Sequence, residues 1–136
     1  MFIRGEVAIC ATGPIDPKDI TPETDVVYIK PKMDFGTRQR VIGAGARFEQ
    51  QGKTKGRQAD PSLSFDVGAY QIALLVHNIK RWEGPSFKGV PCSPENIEQI
   101  DADDPLAKRV LEEIALRNPS APTPEGDDPN APTPNA

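Results

Sequence analysis

Hydrophobic residues recur at helical spacing in the second half of the chain and cluster as strands in the first third. The longest helical pattern runs from Asp66 to Arg81. There Val67, Tyr70, Ile72, Leu75, Val76 and Ile79 sweep one broad face, Trp82 continues the stripe, and Gly84-Pro85 ends it. A second stripe, Leu106, Val110, Leu111 and Ile114, predicts a helix from Pro105 to Arg117. Asp104 is placed as its N-cap, Pro105 suits the first helical position, and Asn118-Pro119 stops it. Ser93-Pro94-Glu95 opens a shorter helical turn with Ile97 and Ile100 on its buried side. Val26 to Lys30 is β-branched and aromatic, and Pro31 at its end marks an edge or terminating strand. Phe2-Ile3 and Val7 to Ile9 are the segments available to pair with it. Asp34 is placed to cap a glycine-interrupted helix over Gly36 to Ala46. Ser62 to Val67 alternates as a strand leading into the long helix, which leaves the start of that helix open by several residues.

Together these elements predict an α+β fold, mostly helical, in which a small N-terminal β element packs on a three- to four-helix unit. A chain of 136 residues supports one hydrophobic core. Its 15 prolines and 11 glycines, against 37% hydrophobic residues, imply that part of it does not pack. That part is the end: after Asn118 no aliphatic or aromatic residue beyond Ala occurs, and Ala-Pro-Thr-Pro repeats at 121 and 131 around Glu125, Asp127 and Asp128. Such a segment cannot bury enough surface to offset its ordering entropy. The expectation is a single compact domain over 1–118 and a disordered, acidic, Pro-rich tail over 119–136. Gln50 to Pro61, with Lys53, Lys55 and Arg57 among glycines, reads as a mobile basic loop.

Charge sharpens the picture through its distribution more than through its total of -4. Lys30 to Arg57 holds eight basic and two acidic residues, whereas Ser93 to Ala136 holds ten acidic and three basic ones. The chain is electrically polarised, which can steer oppositely charged partners to its two ends, although solvated faces are the default reading. Cys10 and Cys92 stand far apart with no CxxC or Cys/His spacing, so free thiols are expected and zinc ligation is not. The first residues carry no signal-peptide core, and the longest apolar run, Ile72 to Val76, is too short to span a bilayer. A cytoplasmic protein without a membrane partner is expected.

Candidate chemistry is sparse. The single histidine, His77, lies on the long helix with no adjacent nucleophile, which favours a structural role. Cys92 precedes the Ser93 cap, where a helix N-terminus can lower a thiol pKa, but no partnered base is evident. Gly43-Ala44-Gly45-Ala46 lacks the third glycine of a dinucleotide loop, Phe48 standing there instead. Asp101, Asp103 and Asp104 resemble the start of a calcium loop, and Glu112 matches its last position. Leu106 stands where glycine is required, however, and Pro105 at an oxygen-ligand position. Neither a catalytic site nor a cofactor is expected. The basic excess has only Phe35 and Phe48 as aromatics and no recognition helix, so nucleic acid is an unfavoured partner. Trp82, Pro85, Phe87 and Val90 form the more suggestive cluster, as a partner anchor or, more commonly, as core closing the helix against the C-terminal pair.

One longer pattern has a specific likeness. It comprises Tyr70-Gln-Ile-Ala-Leu-Leu-Val-His-Asn-Ile-Lys-Arg-Trp82-Glu-Gly-Pro, Gly89-Val-Pro91, Ser93-Pro-Glu-Asn-Ile97 and Pro105-Leu through Val-Leu-Glu-Glu-Ile114, preceded by Val-Val-Tyr-Ile-Lys-Pro before Met33-Asp-Phe-Gly. Over about residues 26 to 118 it resembles the tail assembly chaperones encoded among tail genes of long-tailed bacteriophages. The resemblance implies a non-enzymatic protein of the infected host's cytoplasm that binds the aggregation-prone helical tape-measure protein and helps tail-tube subunits polymerise around it. Tyr70, Trp82, Phe87 and Val90 are the candidate partner contacts, and self-association is expected. A structural virion component, such as a head-tail connector, tail-tube or minor tail protein, is the alternative. A small enzyme or thiol-dependent regulator resting on Cys92 or His77 is a third.

Overall fold

Four capping side chains set where the helices begin, each accepting a hydrogen bond from an otherwise orphaned backbone amide. In the computed structural model, which describes residues 1–49 and 62–119, Asp34 Oδ1 accepts from Thr37 N at 2.7 Å and opens α1 (Phe35–Gly45). Asp66 Oδ1 accepts from Ala69 N at 2.9 Å and opens α2 (Val67–Asn78). Ser93 Oγ accepts from Asn96 N at 3.2 Å and opens α3 (Pro94–Ile97), and Asp104 Oδ2 accepts from Ala107 N at 2.9 Å and opens α4 (Pro105–Arg117). The basic loop expected over 50–61 and, apart from Pro119, the tail expected over 119–136 lie outside the described residues.

Among the described residues six strands complete the α+β fold: β1 (Val7–Cys10), β2 (Gly13–Pro14), β3 (Val26–Ile29), β4 (Ala46–Glu49), β5 (Ser62–Phe65) and β6 (Ile79–Glu83). The main sheet is antiparallel with order β2-β1-β3-β6, and β4 and β5 form a separate antiparallel ribbon between α1 and α2. Two expectations are corrected here. The long helix stops at Asn78, and the residues expected to continue it pair with β3 instead. Likewise, β3 is a central strand flanked by β1 and β6, and Pro31 lies beyond its end, where a missing N–H costs the ladder nothing. Phe2-Ile3 joins neither sheet.

The period of the pattern explains the first correction. Tyr28 pairs with Arg81 and Ile29 with Ile79, so Lys80 is an extra residue, a β-bulge. The bulge puts Ile79 and Trp82 on the same face three residues apart, which in sequence is indistinguishable from helical spacing. The β element is therefore larger than its N-terminal part and takes its fourth strand from mid-chain.

The inner face of the sheet buries Ile9, Val27 and Ile29 against Val41 of α1, Leu74 of α2, and Val110 and Ile114 of α4. On the other face Ala8, Val26 and Tyr28 are covered by Ile15 and Ile20, and the Arg81 guanidinium lies 3.7 Å above the Tyr28 ring. Where α1 meets the start of α2 the backbones approach closely. A Cβ on Gly45 would stand 2.8 Å from the Phe65 ring and 2.9 Å from Tyr70 Cβ. The far end of α4 is tied back by Asn118. Its Oδ1 accepts from Met33 N at 2.8 Å and its Nδ2 donates to Ile114 O at 2.8 Å.

Candidate interaction surface

Helix α2 is apolar over more of its circumference than one neighbour can cover, and the structure divides its faces. Tyr70 turns toward α1 and meets Phe65 at a ring-centroid distance of 4.9 Å. His77 also lies on that side: burial first, then the charges of Arg40 and Lys30, pushes its pKa down and favours the neutral ring. Leu74 enters the core. Residues Gly68, Ile72 and Leu75, half a turn round the helix from Tyr70 and His77, face the other way.

That third face is only partly covered. With Ile97 and Ile100 of the α3 segment and Leu111 of α4, Ile72 and Leu75 line an open groove of about 280 Å³. Ile72 is 42% exposed, so a substantial aliphatic surface stays in water. The charged side chains on the groove wall are Glu98, Asp101 and Lys108. Lys108 Nζ stands 3.7 Å from Asp103 Oδ1, whereas Glu98 has no ion-pair partner among the described residues. The groove is thus an apolar trough with an acidic rim.

Three of the four residues expected to contact a partner come together, and the fourth does not join them. Trp82 on β6 stacks on Phe87 with centroids 4.6 Å apart and planes 11° apart, and its Nε1 donates to Val90 O at 2.8 Å. The Trp82 and Phe87 rings are half-buried and pack against the core. Beside Phe87 is a cavity of about 80 Å³, walled by Val27, Leu75, Ile79, Leu106 and Val110. Val90 contributes a backbone acceptor and an exposed side chain. Tyr70, only 1% exposed between α1 and α2, presents no surface to a partner.

The residues weighed for chemistry have structural surroundings. The half-buried Cys92 thiol is pushed up by burial, opposite to the lowering that a helix N-terminus would give. Asp101 Oδ1 accepts from Asp103 N at 2.9 Å and Asp104 caps α4, so two of the three aspartates shape the turn. Among the described residues there is no group of three or more His, Cys, Asp or Glu able to hold a metal ion. Gly43 and Gly45 lie within α1 and so form no phosphate-cradling loop. Near the end of α4, Glu113 sits between Arg109 Nη2 at 2.9 Å and Arg117 Nε at 3.5 Å, its side chain 6% exposed.

Ile72, Leu75, Ile97, Ile100 and Leu111 were readable as core stripes but not as a shared groove. The available signal was the breadth of the α2 stripe, too wide for a single packing partner. No helix among the described residues is long and apolar enough to cross a membrane. No family model, curated protein or solved structure matches this chain.

Proposed function

We propose that this chain is a non-enzymatic assembly chaperone of a long-tailed phage, which holds a helical segment of the tape-measure protein while tail-tube subunits assemble around it. The observation that carries the reading is the groove between α2, α3 and α4: aliphatic, solvent-open and shaped by three helices, as helix-in-groove recognition requires. The sequence likeness over residues 26 to 118 supplies the identity of the client. Affinity purification of the tagged protein from infected cells tests it. Tape-measure or tail-tube protein is expected in the eluate, and recovery of neither would end the proposal.

The size of the main sheet supports a second reading, a structural part of the virion, because four strands with an open β6 edge offer a surface that subunits of a tube or connector can extend. Mass spectrometry of purified particles separates the two. Stoichiometric copies favour the structural part, and absence favours the chaperone.

A further inference from the structure

We infer that the α2/α3/α4 groove selects a basic amphipathic helix, with its aliphatic stripe in the trough and its lysines or arginines along the acidic rim. The inference rests on the groove being the client site and adds the chemistry of the client. From Gly68 to Leu75 the α2 wall is about 10 Å long at 1.5 Å per residue, two helical turns. A guest helix therefore seats side chains at i, i+3 or i+4, and i+7 against Ile72, Leu75, Ile97, Ile100 and Leu111.

Selection then comes from the rim. Glu98 and Asp101 are on the wall, with Glu95 on the same short helix and Asp103 in the turn before α4. The one basic residue there, Lys108, is engaged by Asp103. A guest with acidic flanks would meet unpaired Glu98 at close range, while a basic guest supplies its missing counter-ion. Charge of this kind discriminates between partners and speeds encounter more than it adds raw affinity. Among the described residues, Arg40 and Lys30 lie on the His77 side of α2 and not on the groove wall.

Calorimetric titration of the full chain with two synthetic 20-residue peptides tests this. Both carry leucines at helical spacing, one flanked by lysines and the other by glutamates. The lysine peptide is expected to bind at least about tenfold more tightly at low salt, with the gap closing near 0.5 M salt as screening shortens to a few ångströms. Glu98→Lys with Asp101→Asn, the Asn keeping the turn-forming acceptor, should reverse or abolish the preference. Ile72→Glu, at an exposed position that leaves folding intact by circular dichroism, should abolish binding of both peptides. Equal binding of the two peptides, or binding indifferent to Ile72→Glu, overturns the inference. So does a groove already filled by a second copy, seen as self-association that Ile72→Glu removes and that excludes the lysine peptide. If the charge-altered variant still recovers tape-measure protein from cells, the chaperone reading survives and the charge selection fails. If the lysine peptide binds but no tail protein is ever recovered, the groove chemistry survives and the tail role fails.

Discussion

At the scale of single residues, two carboxylates carry distinct loads. Asp34 accepts from the Thr37 amide and hydroxyl and pairs with Lys30 at 3.3 Å, and these contacts, the amide bond foremost, hold its pKa down to about 2. Because the folded value lies below the unfolded one, its stabilisation is complete above about pH 4 and disappears as pH falls through 2. Asp34→Ala should cost about 1 kcal/mol at pH 7, the usual worth of an N-cap, with the difference from wild type shrinking as pH falls from 4 through 2 in urea melts. Glu113 is different, buried between two arginines that are themselves a third exposed. Glu113→Ala should cost about 2 kcal/mol, less than a fully buried pair because water reaches both guanidinium groups, and thermal unfolding checks it. Asp34, Ser93 and Asp104 were legible in the sequence as caps, because capping is a local contact across three residues, whereas Asp66 was hidden by the strand-like alternation around it. Arg109, one partner of Glu113, packs on β2, where a Cβ on Gly13 would stand 3.1 Å from its Nη2, and no local pattern announces that contact.

At the scale of elements, α1 contains its own control experiment. Gly43 and Gly45 sit two residues apart in one helix, and helix propensity alone favours Ala at both by about 1 kcal/mol. Among the described residues nothing lies within 4 Å of a Cβ on Gly43, whereas Gly45 abuts Phe65 and Tyr70 at under 3 Å. Gly43→Ala should therefore stabilise the protein by up to about 1 kcal/mol, while Gly45→Ala should destabilise it by about 1–3 kcal/mol as overpacking forces the helices apart. Paired chemical denaturation of the two variants reads the opposite signs directly. Sequence pattern located α1 by its cap and α3 and α4 by a cap and a stripe, while the start of α2 stayed open by several residues. It misplaced the end of α2 because the bulge at Lys80 gave β6 a three-residue spacing, and a strand with a helical period cannot be told from a helix without its partner. The central position of β3 was hidden for the same reason, since its second neighbour was being read as helix.

At the scale of the whole molecule, α2 separates two electrical sides. The described part of the basic stretch, with Lys30, Arg38 and Arg40, gathers around α1, while Glu95, Glu98, Asp101 and Asp103 gather around α3 and the start of α4. The charge asymmetry was visible along the chain, but the groove beside its acidic end was not, since its α2 wall lies more than twenty residues before the other two. An assembly chaperone works through such a surface and not through a reactive group. The most direct test is recovery of tail proteins from infected cells by tagged wild type and by tagged Ile72→Glu, both shown to be folded and equally abundant. Tape-measure or tail-tube protein should co-purify with the wild type and be lost, by at least about tenfold, with Ile72→Glu, as expected when a charge enters an apolar contact. Recovery of neither with the wild type, or equal recovery with both, would contradict the assignment of this groove to an assembly client.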